Sequence, residues 1–289
     1  MKIKLLLVTW ILSCSSSFSQ NTFFGNRLDT DRRVKKLKQS TVQILVDKEK
    51  CGTGFFVTDK GITITNFHVI INPRLRIQNN QIISQLSIVD FKNDTIPVII
   101  KIDLSKESVV NEARIWDYII LQPQKEIKAN FLKLGNFKNV YDGASVYTCG
   151  FPLDLKVPLI TTGTFSTTDT QTQTIGVNKY ERQIGWLDMT TNKGNSGGAL
   201  MLLGNTPDED EIIGITSFIL VPFYKELEDL NNYTVEIGKN NEAIFLGIDF
   251  LKYMRLINTA TNSNSVGISG CVSIEKAANY FSTKSPAKN

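Results

Sequence analysis

Thr191-Asn192-Lys193-Gly194-Asn195-Ser196-Gly197-Gly198-Ala199-Leu200 sets a serine among glycines and then runs into apolar residues. Glycine permits a sharp turn and brings backbone N–H groups close to a reacting atom. The amides of Gly194 and Ser196 then point at one spot, where a carbonyl oxygen would become an oxyanion. A serine hydroxyl is a weak nucleophile until a base takes its proton. The rest of the chain must therefore supply a base and a group to orient it. The chain has a single histidine, His68, in Thr65-Asn66-Phe67-His68-Val69-Ile70. A carboxylate, Asp117, sits in Ile115-Trp116-Asp117-Tyr118-Ile119-Ile120-Leu121. The order His, Asp, Ser is one in which acyl-transfer triads occur: Ser196 as nucleophile, His68 as base and Asp117 as the orienting carboxylate.

Each residue taken singly has a plainer reading. Ser196 fits a glycine-rich turn, His68 a satisfied core histidine, and Asp117 the edge of a surface strand. In a chain with one histidine, though, any Ser–His mechanism must use His68. Asp117 lies between Trp116 and Tyr118 before an apolar run, and a carboxylate buried there needs a partner such as a histidine N–H.

The surrounding chain reads as short strands. Thr41-Val42-Gln43-Ile44-Leu45-Val46 alternates at period two, as a half-buried strand should. Residues 52–58 and 62–65 form a hairpin across Asp59-Lys60-Gly61. Further strands are expected at 83–90, 95–102 and 115–121. Six short strands with polar turns suggest a closed antiparallel barrel over about 40–122. Residues 122–142 read as a connection. A second set at 144–149, 158–168, 181–189, 198–203, 211–219 and 244–248 gives a second barrel over about 143–248. The expected fold is all-β, with two antiparallel six-stranded barrels. His68 and Asp117 come from the first and Ser196 from the second, so the site falls between them, where binding sites are favoured.

At these residues the chain resembles the trypsin-like (chymotrypsin-fold) serine proteases, and within them the HtrA-like branch. Cys51-Gly52-Thr53-Gly54-Phe55 with Thr65 to Ile70 is similar to the family's histidine-bearing strand pair. Trp116 to Leu121 is similar to its aspartate strand, and none of Asp90, Asp94 or Asp103 opens such a strand. Asp188 to Leu200 is similar to its nucleophile loop. Ile213-Gly214-Ile215-Thr216-Ser217-Phe218 and Leu246-Gly247-Ile248 are similar to strands lining its substrate groove, and Thr162-Gly163-Thr164-Phe165-Ser166 to the start of its second barrel. The blocks span residues 40–258 in the family's order.

The resemblance implies a substrate pocket with Thr190 at its base and Ser217, Phe218, Ile219 and Gly247 along its walls. No acid is evident there to receive Lys or Arg. It also implies a helix closing the second barrel, matched by the helical spacing of apolar residues 250, 251, 254 and 257. Asn195 stands where trypsin-type enzymes carry the aspartate that pairs with a freed N-terminus, so activation by that ion pair is not expected. Relatives place a disulfide at the position of Cys51, but Val69 occupies its usual partner's position. About thirty residues follow Asn258, fewer than an ordinary domain, so the PDZ domain that HtrA relatives often carry is not expected.

Composition sets the remaining bounds. At 42% apolar and 21% charged, the 289 residues are those of an ordinary globular protein. Residues 1–19 read as a signal peptide, with Lys2 and Lys4 ahead of an apolar core too short to span a bilayer. Ile11-Leu12-Ser13-Cys14 is the alternative, a lipoprotein cleavage site anchoring the chain through Cys14. Loss of two lysines takes the formal charge from +4 to +2, too near neutral to imply nucleic acid. No later stretch is apolar enough to span a membrane. Cys51, Cys149 and Cys271 are odd in number and read as free, buried small hydrophobes. The basic run Arg32, Arg33, Lys35, Lys36 and Lys38 reads as a solvated helix or arm, and Asp208-Glu209-Asp210-Glu211 as a solvated hairpin tip without the spaced ligands of a calcium loop. Residues 221–243 read as a polar insertion and 259–289 as a tail.

Together these readings describe a secreted or periplasmic serine endopeptidase, domain 20–258, acting on polypeptides through an acyl-enzyme with no metal or organic cofactor. The oligomeric state is open. The rivals are a catalytically silent protease-like binding module or chaperone, and an esterase. The strands do not alternate with helices as an α/β-hydrolase requires.

Overall fold

The structure, a computed structural model, describes residues 23–71, 75–78, 81–175, 177–219, 244–245, 248–249 and 267–282. The leader, the 221–243 insertion, Gly247 and the helical spacing at 250–257 lie outside the described residues.

Twelve strands make two closed antiparallel barrels. The first contains β1 Thr41–Val46, β2 Glu49–Phe56, β3 Thr63–Thr65, β4 Leu86–Val89, β5 Thr95–Ile100 and β6 Ile119–Pro123, in the spatial order β1-β2-β3-β6-β5-β4. The second contains β7 Ser145–Gly150, β8 Leu159–Ile175, β9 Asn178–Asp188, β10 Ala199–Leu202, β11 Glu211–Ile219 and β12 Ile268–Ser273, in the order β8-β9-β12-β11-β10-β7. Closure removes the unpaired edges that an open sheet would present.

Sequence periodicity locates most strands but understates their burial. β1 was expected to be half-buried, yet all its residues but Leu45 are buried. It packs beside β7 of the second barrel, and the N-terminal helix α1, Arg27–Ser40, runs directly into it. The second barrel's interior is filled by Phe137, Val146, Phe165, Leu187, Leu200 and Ile213. Phe137 and Phe165 meet edge to face, 5.9 Å between centroids.

The sixth strand of the second barrel corrects the expected boundary. It is Ile268–Ser273 rather than 244–248, so residues 268–282 form a barrel strand and a helix rather than a tail. Ile-Ser-Gly-Cys-Val-Ser lacks strong apolar alternation, yet β12 pairs with both β9 and β11. A Cβ on Gly185 would lie 2.9 Å from Cys271 Sγ, and one on Gly214 2.8 Å from Val272 O. Four of the six residues of β12 are Ser, Gly or Cys, and such residues read as loop. Helix α4, Glu275–Ser282, follows.

The charged runs are also corrected. Asn26 caps α1 by accepting the N–H of Asp29 at 3.0 Å. Arg33, expected in solvent, is buried and pairs with buried Asp210 at 2.8 Å. Its other nitrogens donate to Phe24 O and Gly204 O, while Tyr147 Oη donates to Asp210 Oδ2 at 2.6 Å. Arg32 and Asp208 form an exposed pair beside it. The basic helix and the acidic turn are thus partners, docking α1 on the second barrel. A buried ion pair is tolerated only when its remaining lone pairs and protons are satisfied, as they are here. Cys51, Cys149 and Cys271 are free thiols, the latter two buried and Cys51 half-buried.

Candidate active site

His68 follows β3 on a single helical turn, α2 Phe67–Ile70. Asp117 was expected on a strand. Instead a helix, α3 Glu107–Ile115, precedes it and the strand begins at Ile119. Asp117 N–H donates to Arg114 O at 3.3 Å and Tyr118 N–H to Ala113 O at 3.1 Å, the paired bonds of a Schellman helix end. Asp117 occupies the left-handed position of that motif, φ 48°. Glycine is usual there, and aspartate is among the few other residues that tolerate it. The turn aims the carboxylate back at His68.

The carboxylate is held by several donors. His68 Nδ1 lies 3.0 Å from Oδ1 and 2.9 Å from Oδ2. The His68 backbone N–H donates to Oδ1 at 3.1 Å, and Ser217 Oγ donates to Oδ2 at 2.5 Å. With a carboxylate as acceptor, Nδ1 carries the imidazole proton and Nε2 keeps a lone pair. The His68 side chain is 48% exposed and that of Asp117 10%, so the pair is exposed to solvent mainly through the imidazole. Asn66 Nδ2 donates to the Asp117 carbonyl at 2.8 Å and fixes the turn from the other side.

Asp117 has a further neighbour that sequence reading did not single out. Arg182, from β9, is buried and donates Nη1 to Ile115 O at 2.9 Å and Nε to Gln171 Oε1 at 2.9 Å. A cation at a helix C-terminus opposes the partial negative charge of the last carbonyls. Burial lowers the pKa of Arg182 from the usual arginine value, and the charge of Asp117 works in the opposite direction. The guanidinium therefore braces the helix end that holds Asp117. Nothing in Gln171-Thr172-Gln173 or Glu181-Arg182-Gln183 signals this, because the contact is made by the long β8–β9 hairpin reaching across to α3.

Ser196 is on the tight loop ahead of β10. Its Oγ donates to Ser217 O at 3.2 Å and not to His68. Ser217 thus contacts both halves of the site, its hydroxyl on Asp117 and its carbonyl on Ser196. It was expected in the pocket wall, but its side chain is turned to the carboxylate.

The loop amides are oriented through their carbonyls. Asn195 N–H donates to Asn192 O at 3.0 Å with Gly194 at φ 102°, a turn that requires glycine at its third position. A Cβ on Gly194 would also collide with Phe151 O. Lys193 O accepts from Leu153 N–H at 2.9 Å, and Asn195 O from Gly198 N–H at 3.0 Å. In a trans peptide the N–H points opposite its carbonyl, so the N–H groups of Gly194 and Ser196 face away from these contacts. Among the described residues neither has an acceptor.

At the expected pocket base Thr190 is exposed, and Thr191 is buried with no partner for Oγ1 among the described residues. The strand beside them is β12. Met189 N–H donates to Gly267 O at 2.8 Å, and Ser269 Oγ to Met189 O at 2.9 Å. Gly267, at φ 91°, lies near Thr190: a Cβ built on it would be 3.9 Å from Thr190 Oγ1. Phe218 and Ile219 pair with Gly270 and Ser269 through their backbones. Among the described residues no group of three or more His, Cys, Asp or Glu is placed to hold a metal ion, and no helix is long and apolar enough to cross a membrane.

Two closed six-stranded barrels, with a histidine–carboxylate pair on one and a glycine-flanked serine on the other, define a chymotrypsin-like architecture. The chain belongs to the trypsin-like peptidase domain family, whose sequence model matches residues 52–206, just over half of its length. It is 28% identical over 166 residues to serine protease HTRA3 of Mus musculus and 30% identical over 170 residues to serine protease HTRA1A of Danio rerio, covering 57% of this chain and 32% and 29% of those proteins. The matched region thus spans about a third of the length of these relatives. Among solved structures, the HtrA-type protease AlgW with tripeptide superposes with a TM-score of 0.56 at 16% identity, over 88% of this chain and 62% of that one. The inactive form of the Rv3671c protease superposes with a TM-score of 0.54 at 14% identity, over 90% and 95%. At such identities the structural likeness speaks for the fold.

Proposed function

We propose that this protein is a serine endopeptidase that cleaves polypeptides through a Ser196–His68–Asp117 triad and acts outside the cytosol. The observation that carries the reading is the His68–Asp117 pair, which leaves Nε2 as the acceptor, together with a serine in a glycine-rich loop whose two amides have no acceptor among the described residues. Ser196 Oγ attacks the peptide carbonyl as His68 Nε2 takes its proton. The carbonyl π pair moves onto oxygen, and the amides of Gly194 and Ser196 receive the oxyanion. Collapse breaks the C–N bond, and His68 returns the proton to the leaving amine. Water then releases the acyl group by the same steps, while Asp117 stabilises the imidazolium throughout.

One observation favours the alternative, a catalytically silent protease-like module. Ser196 Oγ is bonded to Ser217 O rather than to His68. Catalytic hydrogen bonds are often absent without substrate and form in the complex, so a side-chain rotation of Ser196 separates the two readings. A fluorophosphonate probe decides between them, because it labels only an activated hydroxyl. Labelling of the wild type that is lost in both Ser196→Ala and His68→Ala supports the peptidase. A folded wild type that takes no label, and leaves a denatured proteome uncut, sinks it.

A further inference from the structure

We infer that Thr53 is a positioning residue for the oxyanion-binding amides. This rests on the peptidase reading above and adds to it a latch on the first barrel that sets the nucleophile loop of the second. Thr53 lies in β2, is fully buried and places every polar atom on a specific partner. Its N–H donates to Ser196 O at 2.9 Å. Its Oγ1 donates to Gly194 O at 2.6 Å and accepts the N–H of Phe151 at 3.1 Å. Its own carbonyl accepts Thr65 Oγ1 at 2.6 Å.

These contacts bear on both amides. Gly194 has the Lys193 carbonyl on one side, held by Leu153, and its own carbonyl on the other, held by Thr53 Oγ1. Two anchored carbonyls leave the intervening N–H a single direction. Without the hydroxyl, the Gly194 carbonyl is free to swing about a residue with glycine's conformational latitude. At Ser196 the latch holds the carbonyl following the second amide. The same hydroxyl ties the loop to Phe151, two residues before the Leu153 that holds Lys193, so Thr53 joins β2, the nucleophile loop and the 151–153 segment.

The glycines around it are what permit this seam. A Cβ on Gly150 would lie 2.6 Å from Asn195 Oδ1 and 3.0 Å from Thr53 Oγ1, and one on Gly52 2.9 Å from Ser196 O. A Cβ on Gly197 would collide with Thr53 O. The barrels close on this residue backbone to backbone, so a small displacement of Thr53 passes directly to the loop. Valine matches threonine in shape but offers no hydroxyl, so Thr53→Val isolates the latch from packing.

The test uses purified full-length protein, an N-acylated Ala-Ala-Val thiobenzyl ester as substrate and an Ala-Ala-Val aldehyde as tetrahedral-adduct inhibitor. Thr53→Val should lower kcat about 10- to 100-fold, short of the roughly 10²–10³ of removing a donor outright, with KM within twofold. Aldehyde affinity should weaken in step with kcat, and Thr53→Ser should stay near wild type. Should Thr53→Val fail to fold, Thr53→Ser against Thr53→Ala makes the same comparison, since both lack the methyl and only one keeps the hydroxyl. Unchanged kcat and aldehyde affinity in the hydroxyl-less variant, or equal impairment of Thr53→Ser, overturns the proposal while leaving the peptidase reading intact. A wild type that takes no fluorophosphonate overturns both.

Discussion

Ser217 Oγ donates to Asp117 Oδ2 at 2.5 Å, while the Ser217 carbonyl accepts the hydroxyl of Ser196 at 3.2 Å. One residue of β11 thus contacts the carboxylate and the nucleophile at once. Ser217→Ala leaves Oδ2 of a nearly buried carboxylate short of a donor. Hydrogen bonds to charged groups are worth about 1.5–3 kcal/mol, so stability should fall by an amount of that order. Turnover should fall as well, because His68 is oriented by the same carboxylate. Urea denaturation and kcat/KM measured on one preparation test this. A variant with wild-type stability and turnover would show the contact to be idle.

Arg182→Met keeps much of the side-chain volume and removes the donor to Ile115 O. The end of α3 then loses its cation, and Asp117 loses a brace on its left-handed turn. Misplacement of a catalytic group by about 1 Å costs up to about 10²-fold in rate, so kcat should drop by about tenfold or more with little change in KM. Arg182→Lys should not restore it, because a single ammonium cannot bridge Gln171 and Ile115 as the guanidinium fork does. Full rescue by lysine would mean that charge alone matters and that the brace is wrong.

The residues proposed to form the triad stood out in the sequence because their settings are unusual. His68 is the sole histidine, Ser196 sits among glycines, and Asp117 opens an apolar run. Thr53, Arg182 and Ser217 were not legible in these roles, since each acts through a partner more than twenty residues away, brought near only when the barrels close. β12 was misplaced because four of its six residues are Ser, Gly or Cys, which on their own read as a tail. The pairing of Arg33 with Asp210 was hidden because a charge run is ordinarily solvated, and only the docking of α1 buries one member of each run.

That docking has a measurable consequence. Breaking a buried ion pair by removing one partner costs about 3–5 kcal/mol. Arg33→Met would leave Asp210 buried with only the Tyr147 hydroxyl and the Gly204 amide as donors. The urea midpoint should fall accordingly, while Arg32→Met, which removes the exposed pair with Asp208, should change stability by less than about 1 kcal/mol. Equal effects of the two substitutions would contradict the burial contrast.

The free thiols give a pH prediction. Burial pushes Cys149 and Cys271 up to about 12, above the usual cysteine value near 8.5. The folded state therefore retains protons that the unfolded chain gives up as pH rises past about 8.5. Their contribution to stability is complete below that pH and declines toward 12. A Cys149→Val protein should lose less stability than wild type across this window. Iodoacetamide at about pH 8 should reach half-buried Cys51 well before the other two, because the thiolate is the reactive form. Peptide mapping that finds equal alkylation of the three would refute the buried assignment.

The last expectation concerns what the site cleaves. Thr190 is exposed and uncharged beside Gly267, and neither residue offers a negative charge to a lysine or arginine side chain entering there. Burying a cation without a partner is costly, whereas an aliphatic side chain gains roughly 25 cal/mol per Å² of apolar surface removed from water. Cleavage should therefore follow Ala, Val or Leu. Because one methylene changes preference by only about 10–200-fold, the profile should be broad within that group. Thr190→Asp supplies the missing charge and should raise cleavage after Lys and Arg relative to Val, while leaving fluorophosphonate labelling of Ser196 intact. Cleavage-site sequencing of a digested denatured proteome reads both proteins. If wild type already prefers Lys or Arg, or Thr190→Asp leaves the profile unmoved, Thr190 is not at the base of the pocket.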